Sequence, residues 1–257
     1  MGALLLASIG YAAHRAMSGG EQDGDGSAPG VSAEETVRVT TTAQGTDRRD
    51  DIAAEPMLRV PESAAFPAEP NGPDVPGIEI PSGRGVVGPG LVTTGYPHTP
   101  EGAAAQLAQI DIATLQAMSV QVADEVYRTW ALPGGVGPEA WWITQTVEEF
   151  LTSSQMGEVK DPAASVKITP SAALIKGTDG PDWALACVLL KATASYRQEA
   201  EIAFGHCERM QWVGGRWMIG PGTPPEPGPS TWPGTQWAAD AGWRTWVTDH
   251  MDGGHQG

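Results

Sequence analysis

Residues 182–220 constrain the fold more than any other part of the chain. Their sequence is DWALACVLLKATASYRQEAEIAFGHCERMQWVGGRWMIG, in which an apolar run is followed by a polar turn, a second apolar run, a Gly-Gly pair and a third run. This pattern is typical of consecutive antiparallel strands joined by short turns. The pair Gly214-Gly215 suits a two-residue turn, which needs positive φ at both central positions. The sequence therefore predicts a three-stranded β-meander.

Both cysteines of the chain fall within this meander. If Arg197 lies at the centre of the first turn, Cys187 pairs directly with Cys207, and Leu190 pairs with Phe204. Opposed residues can have Cα atoms about 4.5 Å apart, at the short end of the range that a disulfide allows. The two cysteines are therefore either a cross-strand disulfide or two small buried thiols.

The first strand of the meander is apolar on both faces. Alternate residues give one face Trp183, Leu185, Cys187 and Leu189, and the other face Ala184, Ala186, Val188 and Leu190. A sheet with one face in water would alternate apolar and polar residues more regularly. We therefore expect helices over one face, and either the C-terminal tail or a second subunit over the other.

Helical signals precede the meander. Thr99 is suited to cap a helix that starts with Pro100, and apolar residues at three- and four-residue spacing continue to Trp130. Ser119 is placed to cap a restart that bends this helix. The segment from Thr146 has the pattern of a capping box, which predicts a second helix ending near residue 157.

These signals predict an α+β domain over residues 96–220, with N-terminal helices packed on a curved antiparallel sheet. A further strand is expected within residues 160–177, where Pro170 favours an edge or a bulge. All ten tryptophans lie between Trp130 and Trp246, which favours one domain over two.

The first 95 residues have a different composition. Residues 1–17 are mostly apolar but fewer than the about 20 that a spanning helix needs, so we interpret them as a truncated membrane anchor or a short hydrophobic N-terminus. Residues 18–95 are acidic and rich in Pro and Gly, which predicts a disordered linker. Two apolar islands interrupt it, at residues 36–40 and around Met57 and Leu58, and each is either a docking segment or unattached chain.

Residues 221–257 begin with the proline-rich lead PGTPPEPGPSTWPG and continue into a Trp-rich segment, for which we expect a helix and then a disordered C-terminus. Trp243 and Trp246 would share one face of that helix, with Trp237 elsewhere on the turn. These tryptophans either cover a sheet face of their own chain or form a partner-binding surface, to which Met57 and Leu58 would contribute.

Charge and motifs point away from several functions. The formal net charge of -16 argues against direct binding of nucleic acid or anionic lipid. The five histidines have no metal-ligand spacing with the cysteines, and His206 and Cys207, as strand neighbours, point to opposite faces. We expect no catalytic residue, no cofactor and no metal site. Asp124, Glu125 and Tyr127 are nominal acid–base candidates that we interpret as helix-surface residues.

Three blocks carry a resemblance to known proteins. PHTPEGAAAQLAQID, VYRTWALPGGVGPEAW and STWPGTQWAADAGWR are similar to segments of membrane-anchored proteins encoded beside conjugation genes in actinobacterial plasmids and integrative elements. Helices followed by a meander that ends in GGRWMIGPG resemble the cystatin-like cone of the nuclear-transport-factor-two-like superfamily. Some inner-membrane assembly factors of type IV secretion machines carry the same kind of cone. The resemblance covers roughly residues 36–247.

The resemblance implies a noncatalytic, membrane-tethered accessory or assembly subunit of a conjugative transfer or secretion apparatus. It implies a single membrane pass, a cone domain outside the cytoplasm, and partners that are proteins of that complex or further copies of the chain. The alternative is a small-molecule-binding or enzymatic member of the same fold, and a third reading is a secreted soluble binding protein. A working pocket would gather titratable groups in an apolar cavity, whereas an assembly module would fill the cone with aliphatic and aromatic side chains.

Overall fold

The structure is a computed structural model that describes residues 46–248. It has a mixed α+β fold in which helices pack on a curled, six-stranded half-barrel sheet. The helices are α1 Thr46–Ala54, α2 Pro100–Ala117, α3 Val120–Trp130, α4 Trp142–Ser153 and α5 Gln236–Asp240. The strands are β1 Ile78–Ile80, β2 Val86–Val87, β3 Thr93–Thr94, β4 Ser165–Thr178, β5 Trp183–Tyr196, β6 Gln198–Val213, β7 Arg216–Ile219 and β8 Arg244–Thr248. The sheet order is β1-β8-β4-β5-β6-β7, and β2 and β3 form a separate hairpin.

The predicted meander and its register are confirmed. Strands β5, β6 and β7 are antiparallel neighbours, and Cys187 lies directly opposite Cys207. Gly214 and Gly215 connect β6 to β7 with φ values of 60° and 83°, as a two-residue turn with positive φ requires. The additional strand is also present as β4, where the pairing register shifts just after Pro170. A bulge accommodates proline there because the proline nitrogen cannot donate to the ladder.

Both faces of the sheet are covered, as the apolar pattern of β5 predicted. Helices α2, α3 and α4 contribute to the main core on one face, which contains Val188 and Leu190. The other face carries a second cluster that includes Trp183, Leu185 and Trp243. The C-terminal tail of the same chain therefore covers the second face.

The predicted helix starts are correct for α2 and α3 but wrong for α4. The Thr99 hydroxyl accepts a hydrogen bond from Gly102 N at 3.1 Å, and the Ser119 hydroxyl accepts one from Val122 N at 3.4 Å. Helix α4 begins at Trp142, so Thr146 lies inside it and donates to the Trp142 carbonyl at 2.9 Å. An interior threonine can bond the carbonyl four residues earlier, so the capping-box pattern did not mark a helix start.

The prediction of a structureless linker up to residue 95 is wrong for the part that the structure describes. Residues 46–95 form α1, the edge strand β1 and the β2–β3 hairpin. Ile78 and Ile80 are buried in the main core, and β1 pairs in parallel with β8. Strand β1 has only three residues and fits between Pro76 and Pro81, and an edge strand tolerates nearby prolines.

The prediction of one Trp-rich tail helix is also wrong. Helix α5 has five residues, and Gly242, with φ 80°, turns the chain into β8. Trp246 lies in that strand opposite Ile78, so it does not share a helical face with Trp243. The β-branched Thr245 and Val247 favour an extended strand over a helix.

Within residues 46–248 no helix has the length and apolarity needed to cross a membrane. The predicted anchor at residues 1–17, the island at 36–40 and the end of the chain at 249–257 lie outside the described residues.

Candidate functional site

A cavity of about 640 Å³ lies beside strand β6, next to the place where β7 ends. The part of β6 that pairs with β7 is Met210–Val213, so β6 has no β7 neighbour over residues 205–209. The cavity occupies this position, with α1, residues 135–145 and the proline-rich residues 222–227 around it. Its walls include Asp50, Tyr127, Trp141, Trp142, His206, Glu208, Arg209 and Glu226.

Strand β6 presents two ionisable side chains on its helix-covered face. His206 and Glu208 are two residues apart, and side chains at that spacing share one face of a strand. The residue between them, Cys207, belongs to the cluster on the opposite face. The sequence predicted this opposition of His206 and Cys207, and the structure confirms it.

His206 lies between two carboxylates. Its Nδ1 is 2.9 Å from Asp111 Oδ2 and 3.1 Å from Oδ1, and its Nε2 is 3.3 Å from Glu208 Oε1. Asp111, on α2, is 0% exposed and His206 is 5% exposed. Only a doubly protonated imidazole can donate toward carboxylates on both sides, so this geometry favours the imidazolium ion.

Burial and neighbouring charges set the pKa values of His206 and Asp111. Burial alone would lower the pKa of His206, but Asp111 and Glu208 favour the charged ring, and the pKa is raised to about 10. Burial raises the pKa of the Asp111 carboxyl, and His206 opposes that rise. The pair is thus a buried ion pair in which each partner is needed to compensate the other.

Glu208 connects this pair to the cavity. Trp141 Nε1–H donates to Glu208 Oε1 at 2.9 Å, and His206 Nε2 approaches the same oxygen. Both of these contacts end on Oε1. Glu208 is 9% exposed and lines the cavity, so a carboxylate is held nearly out of water at its wall.

Aromatic rings form much of the wall around Glu208. The rings of Tyr127 and Trp141 are 5.2 Å apart, and Trp142 stacks on His206 at 5.1 Å. The Tyr127 hydroxyl accepts a hydrogen bond from Gly137 N at 3.3 Å, and burial raises its pKa. Tyr127 is buried, which corrects its prediction as a helix-surface residue.

The outer rim of the cavity is tied together by Arg209. Its Nη1 is 2.7 Å from Asp50 Oδ1 on α1, and its Nε donates to the Thr223 carbonyl at 2.7 Å. Arg209 is buried although its partner Asp50 is exposed. This side chain therefore fixes α1 and the proline-rich segment against β6.

The two cysteines lie across the sheet from the buried ion pair. Cys187 and Cys207 form a disulfide with Cα atoms 4.0 Å apart. Their bridge belongs to the cluster on the tail-covered face of the sheet. Cys207 and His206 belong to opposite faces of β6, although both residues line the cavity.

The residues predicted for partner binding are dispersed. Trp243 is 2% exposed and its Nε1–H donates to the Pro229 carbonyl at 3.0 Å, whereas Trp237 is 43% exposed. Trp246 is partly buried against the main core, and Met57 packs in part on the tail-covered face. Leu58 is exposed. Burial removes Trp243 from any surface that a partner could reach.

Sequence reasoning missed Asp111, Trp141 and Glu208. Asp111 lies between Ile110 and Ile112 in α2, and an acidic residue at a core position was the available signal. The contact between Asp111 and His206 joins residues far apart in sequence, so no local spacing reveals it. Asp124 and Glu125 do lie at the helix surface as predicted, and Asp124 pairs with Arg128 at 2.9 Å.

Among residues 46–248 no group of three or more His, Cys, Asp or Glu side chains could hold a metal ion. Comparison of the chain with protein-family models, with curated proteins and with solved structures found no match to any of them.

Proposed function

We propose that this chain carries a cystatin-like cone domain whose cavity binds a small molecule. The observation that carries the proposal is Glu208, a nearly buried carboxylate at the wall of an aromatic cavity, held by Trp141 and by the His206–Asp111 pair. The proposal assigns no reaction to the domain.

Energetics support a binding role over a purely structural one. Taking the charges of Asp111, His206 and Glu208 out of water costs several kcal/mol per ion before their attraction is counted. Replacing such a group by apolar side chains is often neutral or stabilising, so stability alone gives little reason to keep it. Binding of a ligand to a fixed carboxylate would be a reason to keep the group, because charge-assisted hydrogen bonds in a sheltered site are strong.

The size of the cavity adds support. Its volume of about 640 Å³ falls in the range of ordinary ligand sites.

A thermal-shift and fluorescence screen tests the proposal. The protein would be titrated with a panel of cationic, neutral and anionic compounds of drug size, since Trp141 and Trp142 report occupancy through their emission. We expect at least one class of compound to raise the melting temperature and change the emission of the wild type. Glu208→Gln should weaken this binding, whereas Glu199→Gln, an exposed position on the same strand, should not. Absence of binding across the whole panel would refute the cavity as a ligand site.

We also propose that the domain lies outside the cytoplasm, tethered to the cell membrane through the N-terminal segment. The bridge between Cys187 and Cys207 supports this location, because disulfides persist in oxidising compartments and are rare in the cytosol. Alkylation of thiols in unreduced protein from the native host should leave both cysteines unlabelled. Labelling of both would contradict the extracytoplasmic location.

A second candidate function is a noncatalytic accessory or assembly subunit of a conjugative transfer or secretion apparatus. The sequence blocks described above support it, and so does the β2–β3 hairpin with its connecting turn, where Val86, Val87 and Leu91 are exposed. Leu91 is 83% exposed and has φ 59°, a conformation that a leucine adopts at a cost. An apolar side chain held in this way on the surface is typical of a contact site for a protein partner.

Two variants separate the candidates in a transfer assay on the genetic element that encodes the chain. Leu91→Gly removes the apolar side chain and relieves the positive φ, so it should keep or slightly raise stability. If the assembly role holds, Leu91→Gly lowers transfer at least tenfold while Glu208→Gln leaves it unchanged. If transfer instead needs a ligand in the cavity, Glu208→Gln lowers transfer and Leu91→Gly leaves it unchanged. Full transfer with both variants would contradict a role of either surface in transfer.

A further inference from the structure

We propose that the ligand of this cavity is an organic cation, an amine whose protonated nitrogen is attached to an apolar body. This inference rests on the proposed function, since it names the chemical class of the molecule that the cavity binds.

The charges of the wall favour a cation. The positive charge of Arg209 is met by Asp50 at 2.7 Å, and that of His206 is met by Asp111 at 2.9 Å. Two further carboxylates, Glu208 and Glu226, line the same cavity, and of these two Lys176 offsets the charge of Glu226 alone. The wall therefore carries an excess of negative charge, which attracts a cation and repels an anion.

Glu208 is the group that the ammonium would contact. Trp141 Nε1 and His206 Nε2 are both directed to Oε1, so they fix the carboxylate without using Oε2. A carboxylate already held by two neighbours loses little freedom when a ligand binds, and this preorganisation favours affinity. An ammonium donating to Oε2 would make a charge-assisted hydrogen bond, the strong class of hydrogen bond in proteins.

The aromatic walls match the rest of such a molecule. Tyr127, Trp141 and Trp142 line the cavity, and the faces of aromatic rings attract cations. Their large apolar surfaces also bury the hydrocarbon part of a ligand. The rim supplies Pro224, Pro225 and Pro227, which add apolar contact. Carboxylate and aromatic surface thus stand side by side, as recognition of an amine with an apolar body requires.

Three probes with one carbon skeleton test the charge preference. Phenethylamine, 2-phenylethanol and phenylacetate share a phenylethyl framework but are cationic, neutral and anionic at pH 7. Their binding can be measured by saturation-transfer NMR and by the tryptophan emission of the protein. We expect phenethylamine to bind at least about tenfold more tightly than 2-phenylethanol, and phenylacetate to bind most weakly, because one charge-assisted contact is worth about a factor of ten or more.

Variants locate the preference. Glu208→Gln keeps the shape of the side chain and removes its charge. It should therefore weaken the binding of phenethylamine about tenfold and change the binding of 2-phenylethanol less than about twofold. Glu199→Gln, the matched change at an exposed position of β6, should leave all three probes unaffected. If Glu208→Gln weakens binding of the amine and of the alcohol equally, the loss comes from packing. That result would overturn the assignment of Glu208 as the contact of the ammonium.

The outcomes distinguish the inference from the proposed function. If the alcohol or phenylacetate binds as tightly as the amine, the cavity remains a ligand site but the cationic class is refuted. If none of the three probes binds at about 10 mM, while a compound of another class binds in the wider screen, the inference again fails alone. If no compound of either set binds, the proposed function fails with it.

Discussion

Asp111 and His206 contact each other from different layers of the fold, one on helix α2 and the other on strand β6. Removing one partner of a buried ion pair leaves an uncompensated charge, which costs about 3–5 kcal/mol. We therefore expect Asp111→Ala to lower the free energy of unfolding by about that amount in chemical denaturation. Asp124→Ala is the matched control, since Asp124 pairs with Arg128 at the surface of α3, and such a pair contributes at most about 0.5 kcal/mol. Equal effects of the two changes would contradict the buried pair.

The raised pKa of His206 predicts a pH dependence of stability. An unfolded histidine titrates near pH 6.5, whereas the folded one holds its proton up to about pH 10. Between these values the folded state binds more protons than the unfolded state, so stability must fall as pH rises. The contribution is complete below pH 6.5 and is lost as the pH passes 10.

Measurement of unfolding free energy between pH 7 and 9.5 tests this linkage. One group held protonated through that window gives a slope of at most about 1.4 kcal/mol per pH unit. His206→Gln keeps a polar side chain but cannot titrate, so its profile should be flatter than that of the wild type. Titrating groups that His206 does not contact are common to both proteins and cancel in the difference. Parallel profiles would contradict the raised pKa of His206.

At the scale of elements, Trp243 holds the C-terminal tail, residues 221–248, against the sheet. Its ring is 2% exposed in the cluster with Trp183 and Leu185, and it also donates a hydrogen bond to Pro229. Loss of a buried tryptophan side chain costs about 3–5 kcal/mol, so Trp243→Ala should lower the melting temperature strongly. Trp237→Ala, which removes a side chain that is 43% exposed, should change it little. A strong effect of Trp237→Ala with none of Trp243→Ala would reverse the assignment of the two tryptophans.

Elements that are specified locally were predictable from the sequence. The register of β5 and β6 follows from the centre of their connecting turn, and the starts of α2 and α3 follow from the capping side chains of Thr99 and Ser119. Each of these features depends on residues only a few positions apart or on a single turn. Local chemistry was therefore sufficient for the meander and the first helices.

Elements that depend on distant partners were not predictable in the same way. Strand β1 is three residues long and is ordered by pairing with β8 near the other end of the chain. Its surroundings are rich in Pro and Gly, and that composition alone predicts disorder. The candidate site was missed for a similar reason, because Asp111 and Glu208 come together around His206 only when α2 is packed on β6. The residue alternation of β6, which separates His206 from Cys207, was predicted, and the acidic Asp111 between two isoleucines was a further signal in the sequence.

At the scale of the whole molecule, both ends of the described chain complete the fold. Strands β1 and β8 extend one side of the sheet, and α1 closes the cavity through the contact of Asp50 with Arg209. The disulfide and the tail lie on the face opposite α2, α3 and α4, so the segments flanking residues 96–220 supply the second layer of packing. The domain is therefore larger than the segment that the sequence marked as its core.

Truncation tests whether those flanking segments are integral to the domain. A chain of residues 46–248 contains every contact described here, whereas residues 96–220 alone lack the tail that covers Trp183 and Leu185. An exposed apolar sheet face promotes aggregation, and a domain has only about 5–15 kcal/mol of stability to lose. We expect residues 46–248 to unfold cooperatively. We expect residues 96–220 to bind a hydrophobic dye and to show no cooperative transition.

A third chain, residues 56–248, removes α1 and leaves the sheet and the tail intact. It loses the pair between Asp50 and Arg209 and the α1 wall of the cavity, and also the Arg49–Asp179 pair and the packing of Ala53 on the sheet. We therefore expect a folded domain that melts cooperatively at a lower temperature, with a more open cavity and weaker binding of any ligand. Cooperative, dye-free folding of residues 96–220 would contradict the integral role of the flanking segments. Loss of folding in residues 56–248 would instead mean that α1, through Asp50 and Arg209, stabilises the sheet and does more than close the cavity.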